Sequence, residues 1–241
     1  MKLKNKLIII LSVTLIISIF ISTIIIIKNN VNNSIEKAND KSELKVYDTI
    51  ISEESYAFDP TDFSKILKEK NRYIITAKVE KCGEATFLPK TEYYNNYHTP
   101  CTPIILKDIK ILSGKDNITI EKNTTYTLGG DIKLSNLKNN LDETDIKRLG
   151  LDKLNKTEMN TQVMRYKTTY SYDLEPNKEY AFIIGKIGNN IYKIVDEGCG
   201  IFEINKQNTN SKINNNNLQL VNVVSKKITN TDELTKMSIE K

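Results

Sequence analysis

The sequence is poor in the residues that bind transition metals and carry out nucleophilic catalysis. It has one histidine, His98, and three cysteines, Cys82, Cys101 and Cys199. A structural zinc site needs about four ordered ligands, and these scattered residues make a poor set. His98 precedes Cys101 in a loop flanked by prolines, whereas catalytic cysteine–histidine pairs are usually distant in sequence and share a formed pocket. We therefore predict no metal, no cofactor and no catalytic residue, and the sequence leaves open whether the protein is an enzyme.

Arginine and net charge are also scarce. Only Arg72, Arg148 and Arg165 occur, and the formal charge of +5 is concentrated at the N-terminus. Four lysines lie there without an acid, which leaves 31 of the 35 basic residues against 30 acids in the rest of the chain. Nucleic-acid recognition favours clustered Arg and Lys on one face. We therefore predict that nucleic acid is not a partner.

Charge is absent from one long stretch, residues 7–27. At about 1.5 Å per residue this stretch would span roughly 31 Å, the thickness of a bilayer core. A cleavable signal has a shorter apolar region of about 7–15 residues and a small-residue cleavage site, although a cleaved secretory signal stays the alternative. Lys2, Lys4 and Lys6 favour a cytoplasmic N-terminus. Residues 1–28 are therefore predicted to be a cytoplasmic tip and single-pass anchor in the cell membrane, with the C-terminal domain extracellular.

The rest of the chain divides by composition and periodicity. Residues 29–58 are polar and lack periodicity, which predicts a stalk. A short helix is expected over 61–70, with Asp59 or Thr61 as its cap. Strand-like alternation then runs from 72 to 205. It is broken over about 135–165 by a helical pattern, and residues 206–241 form an Asn-rich linker followed by a C-terminal strand or tail.

Two details of the alternating region are informative. Ile75, Ala77 and Val79 are predicted to share one face of a strand over 72–81. In the strand over 102–115, Ile105, Asp108 and Ile109 disturb the phase, which predicts a β-bulge. The expected fold class is mainly β: a small barrel or sandwich with a leading helix and a helical insertion over 59–205.

Three stretches carry a resemblance: DFSKILKEKNRYIITAKVEK, TPIILKDIKILSGKDNITIEKNTTYTLGGDIKL, and LEPNKEYAFII with KIVDEGCGIFEIN. Their order resembles a group of uncharacterised extracytoplasmic proteins of Gram-positive bacteria, lipoproteins or membrane-anchored, with an OB-like β-barrel. The resemblance covers about residues 60–205 and implies fold and location, with no catalytic residues to transfer. The membrane anchor and the cysteines in the first inter-strand loop depart from the group's pattern.

Cys82 ends the first predicted strand and Cys101 begins the second. Ends of antiparallel neighbours lie close together, and bridged cysteines need Cα atoms about 4.4–6.8 Å apart. A Cys82–Cys101 disulfide is therefore the favoured pairing. Cys199 is a rival partner for either residue, and three thiols are the further alternative.

Tyr93, Tyr94, Tyr97 and His98 cluster in the same loop. OB barrels use this loop, with the face of strands two and three, to bind oligonucleotides or oligosaccharides. Tyrosine rings stack on ligands at low entropic cost, so these four residues are the candidate ligand-binding set. The alternative is that they only pack over the barrel.

The expected function is a non-catalytic binding or interaction module of the cell envelope. Its expected partners are the membrane, through residues 7–27, and either a wall polymer or an envelope protein. Two alternatives stay open. One is an envelope hydrolase with an unrecognised carboxylate site, and the other is a structural accessory subunit of a membrane complex.

The anchor prediction is tested by protease treatment of intact cells that produce the chain with an N-terminal epitope. We expect digestion of the part after residue 28, while the epitope survives in a membrane-bound fragment. A cleaved signal would instead remove the epitope from the mature chain before protease is added.

Overall fold

The computed structural model describes residues 44–53, 56–57, 59–88, 90–94, 99–113, 118–205 and 217–239. The folded unit begins at Lys45. Within the described ranges no helix has both the length and the apolar character needed to cross a membrane. The predicted span of residues 7–27 lies outside the described residues.

Strands dominate the fold, as the sequence predicts. In chain order the strands are β1 (Lys45–Ser52), β2 (Arg72–Cys82), β3 (Cys101–Ser113), β4 (Thr124–Leu128), β5 (Gly130–Lys133), β6 (Gln162–Thr168), β7 (Glu179–Gly188), β8 (Ile191–Ile194), β9 (Ile201–Asn205), β10 (Gln219–Asn222) and β11 (Ile228–Asn230). The helices are α1 (Phe63–Lys68), α2 (Leu134–Lys138), α3 (Glu143–Arg148), α4 (Lys156–Thr161) and α5 (Thr231–Ile239).

Five strands close into a β-barrel in the order β7-β2-β3-β4-β8, and β8 pairs back to β7. All neighbours are antiparallel except β4 and β8, which run parallel. Ile75, Ala77 and Val79 point into the barrel, which confirms the predicted face. Tyr180 and Phe182 of β7 fill the same interior. The mainly β class and the barrel are thus confirmed.

The predicted bulge in β3 is also confirmed. Thr76 of β2 is opposite Lys110, but Lys78 is opposite Lys107. Between these two pairs, two residues of β3 therefore face one residue of β2. Asp108 takes up the extra residue in a left-handed conformation, with φ of 56°. A bulge of this kind bends the strand and changes which side chains are opposed.

The barrel sheet continues beyond β7 into β9, β10 and β11. Helices α1 and α5 cover this extension, and Phe63, Phe202 and Leu234 belong to a second apolar core there. Helix α1 is shorter than predicted, and its cap is Asp62, whose side chain accepts a hydrogen bond from the Lys65 amide. Asp59 instead bonds to Thr61, one turn before the helix.

The connection from β4 to β7 forms a separate layer. It contains β5, β6 and the helices α2 to α4, which accounts for the predicted helical insertion. Gly129 and Gly130 turn the chain from the barrel into this layer with φ of 82° and 112°. A Cβ on Gly130 would lie 1.9 Å from Thr102 Oγ1, so no side chain fits at this bend. The two glycines form the sharp bend that their pairing suggests.

The structure differs from the sequence prediction at residues 45–52. These residues were assigned to the polar stalk, but they form β1, which lies parallel to β6 and starts opposite Gln162. Tyr47 donates a hydrogen bond to Leu149 O at 3.1 Å, and Tyr56 donates one to Glu197 Oε2 at 2.9 Å. Their partners lie more than 100 residues away, which local composition does not reveal.

One buried side chain joins β9 and β10. Asn222 is fully buried, and its amide donates to the carbonyls of Cys199 at 2.8 Å and Ile201 at 3.0 Å. Its carbonyl oxygen accepts from the amides of Val224 and Ser225. A single asparagine therefore satisfies backbone groups at the start of β9 and in the turn between β10 and β11.

We expect Asn222→Ala to destabilise the protein by about 2–4 kcal/mol, because the substitution leaves several buried backbone groups without a hydrogen bond. Urea unfolding of the full chain in detergent, followed by circular dichroism, measures this change. Asn140→Ala is the matched control, since Asn140 is exposed and bonds only to Asn136 O at 2.9 Å. Equal midpoints for the two variants would contradict the role of Asn222.

Candidate functional site

The described parts of the loop between β2 and β3, residues 83–88, 90–94 and 99–100, lie on the outside of the barrel. We call this loop the covering loop. Leu88 and Tyr94 of the loop pack with Cys101, Leu128 and Ile187 in a small apolar cluster outside the barrel core. Thr91 donates a hydrogen bond to Ile187 O, so the loop reaches the hairpin that joins β7 and β8. The loop thus packs on the outer side of the barrel, beside β4 and the end of β7.

The structure separates the predicted tyrosines by burial. Tyr94 is 7% exposed, and its hydroxyl lies 3.3 Å from Cys101 Sγ. Tyr93, beside it, is 50% exposed near the tip of the turn from Thr91 to Tyr94. Tyr97 and His98 lie outside the described residues. Of the predicted set, the structure therefore presents Tyr93 to solvent and packs Tyr94 under the loop.

A hollow of about 230 Å³ opens beside the β7–β8 hairpin. Its lining combines an aromatic ring, an amide, a hydroxyl, an ammonium and a carboxylate, from Glu121, Lys122, Thr124, Tyr126, Asn190 and Ile191. We call it the hairpin hollow. Lys122 and Asn190 hold their side chains there from left-handed backbone conformations, with φ of 50° and 56°. Pockets that combine a ring face with a few polar groups are typical of small-ligand sites.

Tyr126 is the central aromatic residue of the hollow. It alternates with Thr125, whose side chain is fully buried and bonds to Tyr192 O at 3.0 Å, so Tyr126 points outward from β4. Burial, and then the negative charge of Glu121, raises the pKa of the Tyr126 phenol. The hydroxyl therefore stays protonated and can donate a hydrogen bond at physiological pH.

Sequence reasoning missed the hairpin hollow. Asn190 lies in the turn between β7 and β8, and nothing local in the sequence indicates that it meets Lys122 and Tyr126. The backbone amide of Glu121 donates to Asn190 O at 3.1 Å, and this contact joins segments about 70 residues apart. Only the parallel pairing of β4 with β8 brings the two turns together.

The strand register holds Cys82 and Cys101 apart. Cys82 is opposite Ile104, three residues along β3 from Cys101. That offset is about 10 Å along an extended strand. Cysteines with Cα atoms more than about 7 Å apart cannot be bridged without backbone movement. The Cys82–Cys101 disulfide stays a prediction, and it would require one strand end to shift.

Cys199 is fully buried in the turn before β9. Burial, and then the charges of Asp196 and Glu197, raises the pKa of its thiol to about 12. A nucleophilic cysteine needs a lowered pKa, so the environment of Cys199 is that of a structural thiol. Within the described ranges no three His, Cys, Asp or Glu side chains are grouped as metal ligands.

A wider groove of about 540 Å³ lies between α1, α5 and β11. Asp59, Asp62 and Glu233 line it, and each accepts local hydrogen bonds, from Thr61, Ser64 and Thr229 respectively. Bonds from Thr61 and Ser64 lower the pKa of Asp59 and Asp62. Asp59 and Asp62 stabilise the start of α1, which accounts for their position in the groove.

No protein-family model, no curated protein and no solved structure matches this chain.

We expect Tyr94→Ala to speed alkylation of Cys101, because the Tyr94 ring covers that thiol. The full chain, folded and kept reduced, is labelled with a maleimide, and each cysteine is followed by peptide mass mapping. Cys199 is the internal control, since it is equally buried and belongs to a different part of the fold. Equal acceleration at both cysteines would indicate general unfolding and contradict the local role of Tyr94.

The same map without reductant tests the predicted Cys82–Cys101 disulfide. A linked peptide containing both residues would confirm the bridge and show that the strand ends move. If no such peptide forms, the predicted bridge is wrong.

Proposed function

We propose that this protein is a membrane-anchored, extracytoplasmic binding module of the cell envelope, and that its barrel is OB-like. The observation that carries the proposal is the hairpin hollow, which lies on the outer side of β4 next to the β7–β8 hairpin. The proposed ligand is a polyhydroxylated chain such as a wall saccharide, held without chemical change.

The barrel topology supports the OB-like assignment. Counted along the chain, the first three barrel strands form a meander, and the last two form a hairpin that closes the barrel. OB barrels bind oligosaccharides and oligonucleotides on the face of strands two and three, between the first and the last inter-strand loops. Here those loops are the covering loop and the β7–β8 hairpin, and the hollow lies beside that hairpin at β4, the third barrel strand.

The side chains suit a saccharide. Tyr126 offers a half-buried ring, while Asn190, Thr124 and Lys122 offer amide, hydroxyl and ammonium groups. Tyr93 lies two residues after Thr91, which bonds to Ile187 O near the end of β7. Tyrosines supply rigid contact area and a hydrogen-bonding hydroxyl at low entropic cost. The two tyrosines would therefore contact neighbouring units of one chain.

The lining favours binding over hydrolysis. Glycoside hydrolysis generally uses two carboxyl groups about 5–10 Å apart across the scissile bond. Among the residues that line the hollow, Glu121 alone carries a carboxyl group. The hydrolase alternative would require a second acid brought by another segment.

We expect the double variant Tyr93→Ser/Tyr126→Ser to bind insoluble wall sacculi at least about tenfold more weakly than the parent, since ring stacking is typically worth about 1–3 kcal/mol per contact. Co-sedimentation of the full chain in detergent with purified sacculi measures this. Tyr94 is left unchanged, because its burial would confound loss of binding with loss of the loop structure.

Tyr170→Ser is the control, since Tyr170 packs against Tyr56 with ring centroids 5.6 Å apart, on a different part of the fold. Tyr126→Phe keeps the ring and should retain most binding. Unchanged co-sedimentation of the double variant would reject the hairpin hollow as the ligand site.

A further inference from the structure

Four lysines share the outer side of the ribbon formed by β2 and β3. Lys78 is directly opposite Lys107, Lys110 is opposite Thr76, and Lys81 is opposite Ile105. Their strand neighbours Val79 and Leu106 point into the barrel, so these register positions face outward. Lys81 and Lys110 are exposed, while Lys78 and Lys107 are half-buried. We call this surface the lysine ribbon.

The opposition of Lys78 and Lys107 is unfavourable for folding. Directly opposed side chains lie about 5 Å apart, and like charges there destabilise a sheet. Across the described residues, none of the four lysines belongs to an ion pair, whereas Lys133, Lys178 and Arg165 all do. Glu179 of β7 is directly opposite Lys78 on the other side of β2. One acidic residue therefore lies along the β7 edge of the ribbon.

The bulge at Asp108 creates this opposition. Without the extra residue, the register from Thr76 and Lys110 would continue to place Asp108 opposite Lys78, a favourable cross-strand pair. The bulge moves Lys107 into that position and puts Asp108 in a left-handed conformation. A second register shift, between Val79 and Lys81, takes Glu80 out of the ladder as well. Neither carboxylate within the ribbon is therefore directly opposite a lysine in the β2–β3 ladder.

We propose that the lysine ribbon binds a repeating phosphodiester polymer of the envelope. Lysines at alternate positions of one strand are about 7 Å apart, and directly opposed lysines of neighbouring strands are about 5 Å apart. Together they present a row of point charges. Ammonium groups bind phosphate as point charges, without the fixed geometry that Arg imposes. A row of charges on a convex surface suits a polyanion with many equivalent contacts. This site is separate from the hairpin hollow and does not depend on saccharide binding, but the envelope source of the polymer rests on the location proposed above.

The test is anisotropy of fluorescently labelled inorganic polyphosphate, titrated with the full chain in nanodiscs of zwitterionic lipid. We expect Lys78→Thr/Lys107→Thr to weaken binding about tenfold at low salt. The magnitude of the negative slope of log affinity against log salt concentration should decrease by roughly two, about one unit for each lost contact. Lys147→Thr/Lys153→Thr is the matched control, because it removes the same charge from exposed positions of the helical insertion. It should change binding less than about twofold.

Lys107→Glu separates loss of binding from loss of fold. The substitution puts a negative charge directly across the ladder from Lys78. We therefore expect a higher melting temperature together with weaker polyphosphate binding. Equal weakening in the ribbon and control variants would show that only net charge matters and would overturn the proposal. Unchanged binding in the ribbon variants would overturn it too.

Discussion

The backbone pairing of β7 is the interaction on which the rest of the structure depends. This strand pairs with β2 along one edge, while its other edge is shared between β8 and β9. Pairing with β8 closes the barrel, so the barrel strands have partners on both sides. Pairing with β9 carries the sheet onward to β10 and β11, which form the platform for α1 and α5.

Closure at β8 also positions the candidate site. Because β8 must reach β4 to complete the barrel, the β7–β8 hairpin lies beside the turn that precedes β4, and the hollow forms between them. The covering loop then folds over the adjacent outer face and is fastened at Thr91 to the same hairpin. The site is therefore a consequence of how the barrel closes.

Much of the local structure was predictable from the sequence, because it follows from short-range physics. The alternation of Ile75, Ala77 and Val79 identified the buried face of β2, and the phase shift at Asp108 identified the bulge. Strand β1 was not predictable, because its apolar contacts come from a parallel partner more than 100 residues away. For the same reason, nothing local distinguished buried Tyr94 from exposed Tyr93.

By itself, the sequence determined the buried face of β2, the bulge in β3, the backbone freedom at Gly129 and Gly130, and how few metal-ligating residues the chain has. These properties depend on side-chain periodicity, backbone freedom and residue inventory, all of which are local or additive. The tertiary structure decided which residues meet: Tyr126 with Asn190 in the hollow, Tyr94 with Cys101 under the loop, and Lys78 with Lys107 on the ribbon. Such meetings depend on strand register and barrel closure, which are fixed by the packing of the whole domain.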